Sequence, residues 1–241
     1  MSNMKKYKKT DIESYTLGTT LTLELLNKKI DYVKRVYIHS KQERNETYFK
    51  IKNICDSYNI EIIYSDKIIN TLSDKENCYV IGVFEKFKTD INYLANHIVL
   101  VNPSNMGNLG TIIRSSVGFG INNLVIISPG VDIFDPKVIR SSMGAIFNIN
   151  FTYYDSFLDY AKLTTERDFY PFMLKAKTNL SSVKVRRNYS LIFGNEATGL
   201  PDDYLDIGEP LIIKHTNNID SLNLDNAVSI ALYEFTKSEF E

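Results

Sequence analysis

Three things are scarce in this chain, and each narrows the reading. Cysteine is nearly absent: Cys55 and Cys78 are the only two among 241 residues, and they form no C-x-x-C pair. Two isolated thiols argue against a disulfide framework or a zinc site and fit a reducing compartment, so no metal is expected. Long apolar runs are missing as well. No stretch approaches the roughly 18 residues that a membrane helix needs. The lysine-rich start (Lys5, Lys6, Lys8, Lys9) leads into no apolar segment of the kind a signal peptide carries. A cytoplasmic protein without a membrane part is the expectation. The phosphate-binding fingerprints are also absent: G-x-x-x-x-G-K-[ST] occurs nowhere, and the glycine-rich stretch 102–114 holds no G-x-G-x-x-G. That speaks against a nicotinamide dehydrogenase.

What is present suffices for a folded α/β protein. Hydrophobic residues make up 44% and charged residues 24%, enough to bury a core without the bias of a disordered chain. The net charge of −1 is split unevenly: residues 1–95 carry 16 Lys/Arg against 13 Asp/Glu, and the remainder 12 against 16. A mildly basic front half suits a polyanionic partner. There, apolar spacing predicts helices over 17–26 and 48–58, and β-branched runs predict strands at 33–38, 60–64 and 79–87. A polar stretch, 85–96, reads as a linker. Beyond it, short apolar runs at 97–101, 124–127, 147–151, 172–174, 191–193 and 211–213 alternate with helical segments, and a last amphipathic helix spans 223–236. Buried strands alternating with helices predict a mostly parallel sheet covered on both faces. The domain division is thus 1–90 and 97–241.

Three stretches carry the candidate chemistry. The first, Asn102-Pro-Ser-Asn-Met-Gly-Asn-Leu-Gly-Thr-Ile-Ile-Arg114, leaves a strand, turns through Asn and Gly, and enters a helix bearing Arg114. Open α/β sheets place ligands at such carboxyl-edge joints. The second, Phe193-Gly194-Asn195-Glu196-Ala-Thr-Gly199-Leu200-Pro201, sets a carboxylate two residues after a strand-ending glycine; Gly194 would let a flat ligand approach the main chain. In the third, Ile213 is followed nine residues later by Leu222 within Ser221-Leu222-Asn223, where Ser221 or Asn223 is suited to cap the last helix. His215 lies in the same loop without a nearby acid in sequence and is given surface status.

In this order and spacing the three stretches resemble the signature motifs of the SpoU/TrmH-type RNA 2′-O-methyltransferases of the SPOUT class, over about Ile98 to Phe235. The front unit, from Tyr15-x-Leu-Gly to Ile81-Gly-Val-Phe84, resembles more loosely a small ribosomal-protein-like RNA-binding domain. The resemblance implies a C-terminal trefoil knot, a homodimer with its active site at the subunit interface, and S-adenosylmethionine as methyl donor. It implies a ribose 2′-hydroxyl of rRNA or tRNA as acceptor. Gly194, Asn195, Ile213, Leu222 and Asn223 would bind the cofactor. Arg114 would handle the hydroxyl, oriented by Asn108 and Glu196, with Ser221 and Asn223 fixing the third loop. Two departures stand out. The first motif holds two Asn-x-Gly pairs, of which counting back from Arg114 favours Asn108 for the functional role with Asn105 as the other candidate, and Lys214 replaces a usual proline. A catalytically silent RNA- or ribosome-binding protein and a base methyltransferase of the same class are the alternatives. In the front unit Lys28, Lys29, Lys34, Arg35 and the Lys5–Lys9 tail are candidate phosphate contacts.

Overall fold

The computed structural model describes residues 5–73, 77–164, 166–186 and 188–240. Along the chain run β1 (Glu13–Tyr15), α1 (Thr19–Lys28), β2 (Val33–Ile38), α2 (Glu46–Ser57), β3 (Glu61–Tyr64), α3 (Asp66–Leu72) and β4 (Val80–Glu85). After a polar stretch come β5 (His97–Val101), α4 (Met106–Gly118), β6 (Asn123–Ile127), α5 (Pro136–Ser141) and β7 (Asn150–Tyr154). The remainder holds α6 (Phe157–Ala161), β8 (Asp168–Pro171), β9 (Thr178–Asn179), β10 (Tyr189–Phe193), β11 (Leu211–Ile212) and α7 (Leu224–Thr236). Contacts gather these into two compact units, one of 1–87 with 132–148 and one of 88–131 with 149–241. No helix among the described residues is long and apolar enough to cross a membrane.

The first unit is a mixed four-stranded sheet in the order β1-β4-β2-β3, with β4 antiparallel to both neighbours and β2 parallel to β3. Its Lys34 and Arg35 are committed within the sheet: Lys34 pairs with Glu85 at 2.5 Å and Arg35 with Glu13 at 2.6 Å. The apolar run 147–151 does not form a single strand. Ala145–Asn148 is a 3₁₀ turn, and β7 begins only at Asn150. Ile146 and Phe147 are apolar because the first unit buries them; the Phe147 ring stands edge-on to Phe84 at 5.6 Å. The segment Asp132–Asn148, on the far side of the linker in sequence, therefore packs with the front unit.

The second unit carries a five-stranded sheet, β7-β6-β5-β10-β8, in which every pairing is parallel. All residues of β5, β6 and β10 are buried, the pattern of parallel strands covered on both faces. From β5 the chain steps outward through β6 to β7, then returns on the opposite side through β8 and β10. The order reverses between β5 and β10, so the loops leaving those two strands diverge at adjacent carboxyl ends and leave a crevice there. The runs expected as strands at 172–174 and 211–213 are displaced from this sheet. The edge strand β8 ends at Pro171, and β11 pairs with β9 as a separate two-stranded ribbon that touches Phe172.

The opposite, amino-terminal edge holds a buried polar chain that sequence reading does not reveal. Arg167 donates to Ser190 Oγ (3.2 Å), to the Tyr189 carbonyl (2.7 Å), and to the Tyr93 and Ala95 carbonyls (2.7 and 2.6 Å). Ser190 and Tyr160 hydroxyls lie 2.5 Å apart, and Tyr160 lies 2.7 Å from His97 Nδ1. His97 Nε2 sits 2.9 Å from the Asn92 carbonyl, which can only accept. Nε2 therefore carries the hydrogen, and Nδ1 accepts from Tyr160 in the neutral imidazole. Burial, then the Arg167 charge, brings the His97 pKa down to about 4. A depressed folded-state pKa means that the unfolded chain takes up the proton first. Stability from this site is complete above pH 6.5, falls as pH drops toward 4, and is level below that. The expected loss is about 3 kcal/mol. Urea unfolding of wild type and His97→Gln at pH 7 and 4 should show the gap between them shrinking by that order; a constant gap would contradict the neutral buried imidazole.

Candidate active site

The loop after β5 and the loop after β10 are joined through one carboxylate. Glu196 accepts from the Ser104 amide (3.0 Å), the Ser104 hydroxyl (2.7 Å), the Asn105 amide (3.1 Å) and Asn108 Nδ2 (3.4 Å). Burial alone would raise its pKa. The Ser104 hydroxyl and the Ser104 and Asn105 amides outweigh that and hold the carboxyl below its ordinary value. Glu196 is thus a fixed, ionised acceptor at the crevice.

The two asparagines that compete in sequence have different tasks. Asn105 is the N-cap of α4, and its Oδ1 accepts from the amides of Gly107 (2.8 Å) and Asn108 (3.1 Å). Asn108, one turn in, directs its amide group toward Glu196 and, at 3.4 Å, toward Asn223 Oδ1. Asn223 in turn caps α7, accepting from the Leu224 amide at 2.8 Å. One amide therefore ties the first stretch to both the second and the third.

Beside this junction lies a cavity of about 330 Å³. Its walls include Gly194, Asn195, Glu196, Ile213, Ser221 and Leu222 of the expected site, and also Phe172, Leu174, Lys175, Phe193, Asp202 and His215. The rings of Phe172 and Phe193 stack at 4.5 Å, building one apolar side. Asn108, Asn223 and Arg114 are not among the lining residues. Asn195 lines the space, but its side chain closes its own loop: Oδ1 accepts from the Ala197 and Thr198 amides, and Nδ2 donates to the Asn102 carbonyl at 2.8 Å. Arg114 is exposed on α4.

Gly194 also meets a need that its position in sequence does not suggest. A Cβ there would stand 2.1 Å from the Gly199 carbonyl carbon and 2.3 Å from the Leu200 nitrogen. The backbone that needs the space is the chain's own, because the loop folds back and pairs Asn195 with Gly199. His215, given surface status from sequence, is half-buried on the cavity wall, and its Nδ1–H donates to the Thr216 carbonyl at 3.0 Å. Only the distance in sequence to the other walls concealed it. Among the described residues no cluster of His, Cys, Asp and Glu is arranged to hold a metal ion.

Known proteins match this architecture. The profile of the SpoU rRNA Methylase family matches residues 95–233. A Listeria innocua protein named "Putative tRNA (cytidine(34)-2′-O)-methyltransferase" is 31% identical over 151 residues, covering 61% of this chain and 89% of its own length. A Streptomyces viridochromogenes protein named 23S rRNA (uridine(2479)-2′-O)-methyltransferase is 27% identical over 57% of this chain and 50% of its own. Among solved structures, the AdoMet-bound rRNA methyltransferase of Sinorhizobium meliloti superposes with a TM-score of 0.81 at 21% identity, over 94% of this chain and 88% of that one. At that identity the likeness establishes the fold. With the family profile covering more than half of its residues, the chain belongs to the SpoU rRNA Methylase family.

Proposed function

We propose that this protein transfers a methyl group from S-adenosylmethionine to a ribose 2′-hydroxyl of rRNA or tRNA. The observation that carries the reading is the single junction of Glu196, Asn108 and Asn223 at the edge of a partly apolar cavity. The residues present suit the donor: an aromatic and aliphatic slot for the adenine, main-chain groups at 193–199 and 211–215 for its edge, and polar groups at either end. When bound, the donor supplies an electrophilic sulfonium methyl. The chain's own task is to place the ribose oxygen in line with it, to keep water out and to favour loss of the hydroxyl proton. Asn108 and Glu196 orient, Ser221 and Asn223 hold the third loop, and Arg114 meets the oxygen.

Arg114 stands on α4 off the cavity wall, and the reading accommodates this with a homodimer in which each Arg114 serves the partner's cavity. The helix pair α4 and α7, joined by Ser115 and Ser229 hydroxyls at 3.0 Å, supports it, because Ile230 and Tyr233 on α7 are 42% and 58% exposed. Apolar side chains so placed beside a functional residue are what a self-complementary interface buries. The same reading takes the C-terminal segment to be threaded as a trefoil knot, supported by the convergence of residues 194–200, 211–215 and 221–227 on one cavity although β11 lies outside the main sheet. It places the protein in the cytoplasm and gives RNA recognition to the domain 1–90.

The test is incubation of RNA from a strain lacking the gene with the protein and methyl-labelled donor, followed by alkaline and nuclease digestion. Label in hydrolysis-resistant dinucleotides is the expected result. Label in free modified bases would replace the ribose by a base as acceptor, and no label in any RNA would leave a silent binding protein.

A further inference from the structure

The cavity wall carries an ion pair that the catalytic junction does not use. Lys175 follows the edge strand β8 and Asp202 opens the 3₁₀ turn after Pro201, so two separate segments bring them to the cavity wall. Lys175 Nζ lies 2.6 and 2.7 Å from the two Asp202 carboxylate oxygens. Both side chains are about two-thirds exposed, at 65% and 69%. An ion pair so open to water contributes little to stability and exchanges partners readily. It marks a solvent-exposed part of the cavity wall.

Charge matching then selects what it meets. This step rests on the reading of the cavity as the S-adenosylmethionine site. Besides its nucleoside and sulfonium, that molecule ends in an amino acid with one carboxylate and one ammonium. Lys175 is the only lysine or arginine among the lining residues, so of the wall's own side chains it is the one that offers a lysine or arginine charge to the carboxylate. Two acids line the space, Glu196 and Asp202, and Glu196 is already saturated by Ser104, Asn105 and Asn108. Asp202 is left for the ammonium. We propose that Lys175 and Asp202 form the amino-acid end of the donor site, each giving up the other for the opposite charge on the ligand. One charge-assisted contact replaces another at each end, so the exchange needs no rearrangement of the fold.

Calorimetry with two ligands isolates this role. S-adenosylhomocysteine has the amino-acid tail, whereas 5′-methylthioadenosine has the same nucleoside and thioether without it. Lys175→Met and Asp202→Asn should each weaken S-adenosylhomocysteine by about tenfold and leave methylthioadenosine within about twofold. The exchanged pair Lys175→Asp with Asp202→Lys keeps an ion pair on the cavity wall while reversing its polarity. It should not recover binding of the tail, which separates ligand pairing from a merely structural strap. Equal losses for both ligands, no loss for either, or full recovery in the exchanged pair would overturn the proposal. If the wild type bound neither nucleoside, the reading of the cavity itself would fall, and this inference with it.

Discussion

Replacing Arg114 with alanine should lower methyl transfer by about 10²- to 10³-fold, the scale for losing one donor to a developing oxyanion. Binding of S-adenosylmethionine, measured by calorimetry, should change by less than about threefold, because Arg114 does not line the cavity. The reason lies in the chemistry of the guanidinium. In that role a guanidinium would offer the attacking oxygen a fixed positive charge rather than a base. That charge would count most as the hydroxyl loses its proton and charge builds on the oxygen. A variant that kept wild-type turnover would remove Arg114 from the mechanism. Subunit mixing carries the prediction further. An Arg114→Ala chain has an intact cavity, and an Ile213→Trp chain has its cavity filled but its arginine intact. Each alone should be inactive. If the arginine acts across a dimer, mixed pairs hold one complete site, and an equal mixture should regain up to about a quarter of wild-type activity. If each arginine served its own cavity, mixing would restore nothing.

Much of this site was legible in the sequence because the features that build it are local. Asn and Gly punctuate the joint at 102–110 since turns and helix caps need short polar side chains and free backbone, and Asn105 does cap α4. Which of Asn105 and Asn108 bridges the loops could not be read from spacing alone; it depends on Glu196 arriving from some 90 residues away. Other elements were misread for the same reason. Phe147 is apolar because Phe84, distant in sequence, packs against it, and a run of apolar residues does not tell a strand from a buried turn. Leu211 looks like one more strand of the main sheet, but its partner is Thr178 in β9. His97 sits in an unbroken apolar run, His97-Ile-Val-Leu-Val, and its neutrality is set by Tyr160, Asn92 and Arg167. Lys175 and Asp202 look like ordinary surface charges until the fold brings them together on the wall of one cavity. Periodicity reports what a residue is next to along the chain, and these roles are set by what it is next to in space.

Gly194→Ala should be among the most damaging single-methyl changes in the second unit. The added carbon would meet the Gly199 carbonyl carbon at 2.1 Å, the Leu200 nitrogen at 2.3 Å and the Gly199 oxygen at 2.4 Å. All three are backbone atoms, so no rotamer relieves the overlap. The loop itself resists moving: Gly199 N–H donates to the Asn195 carbonyl at 2.8 Å, Asn195 Oδ1 holds the Ala197 and Thr198 amides, and Leu200 is only 8% exposed. Glu196 sits within that loop, so any shift that admits the methyl also pulls on Ser104, Asn105 and Asn108. A cost on the order of 3 kcal/mol or more is expected from forced overpacking, which corresponds to a fall in Tm of about 6–12 °C for a chain of this size. Gly199→Ala provides the contrast. Gly199 has φ +69° with open space around its missing Cβ, so it pays only the left-handed backbone penalty of about 1–2 kcal/mol. Thermal unfolding of both variants beside the wild type decides between two explanations of the strand-ending glycine. If Gly194 exists to let the loop close on itself, Gly194→Ala is the less stable variant and loses nucleoside binding as a consequence. If it exists only to admit a ligand, Gly194→Ala unfolds at the wild-type temperature and fails in binding alone.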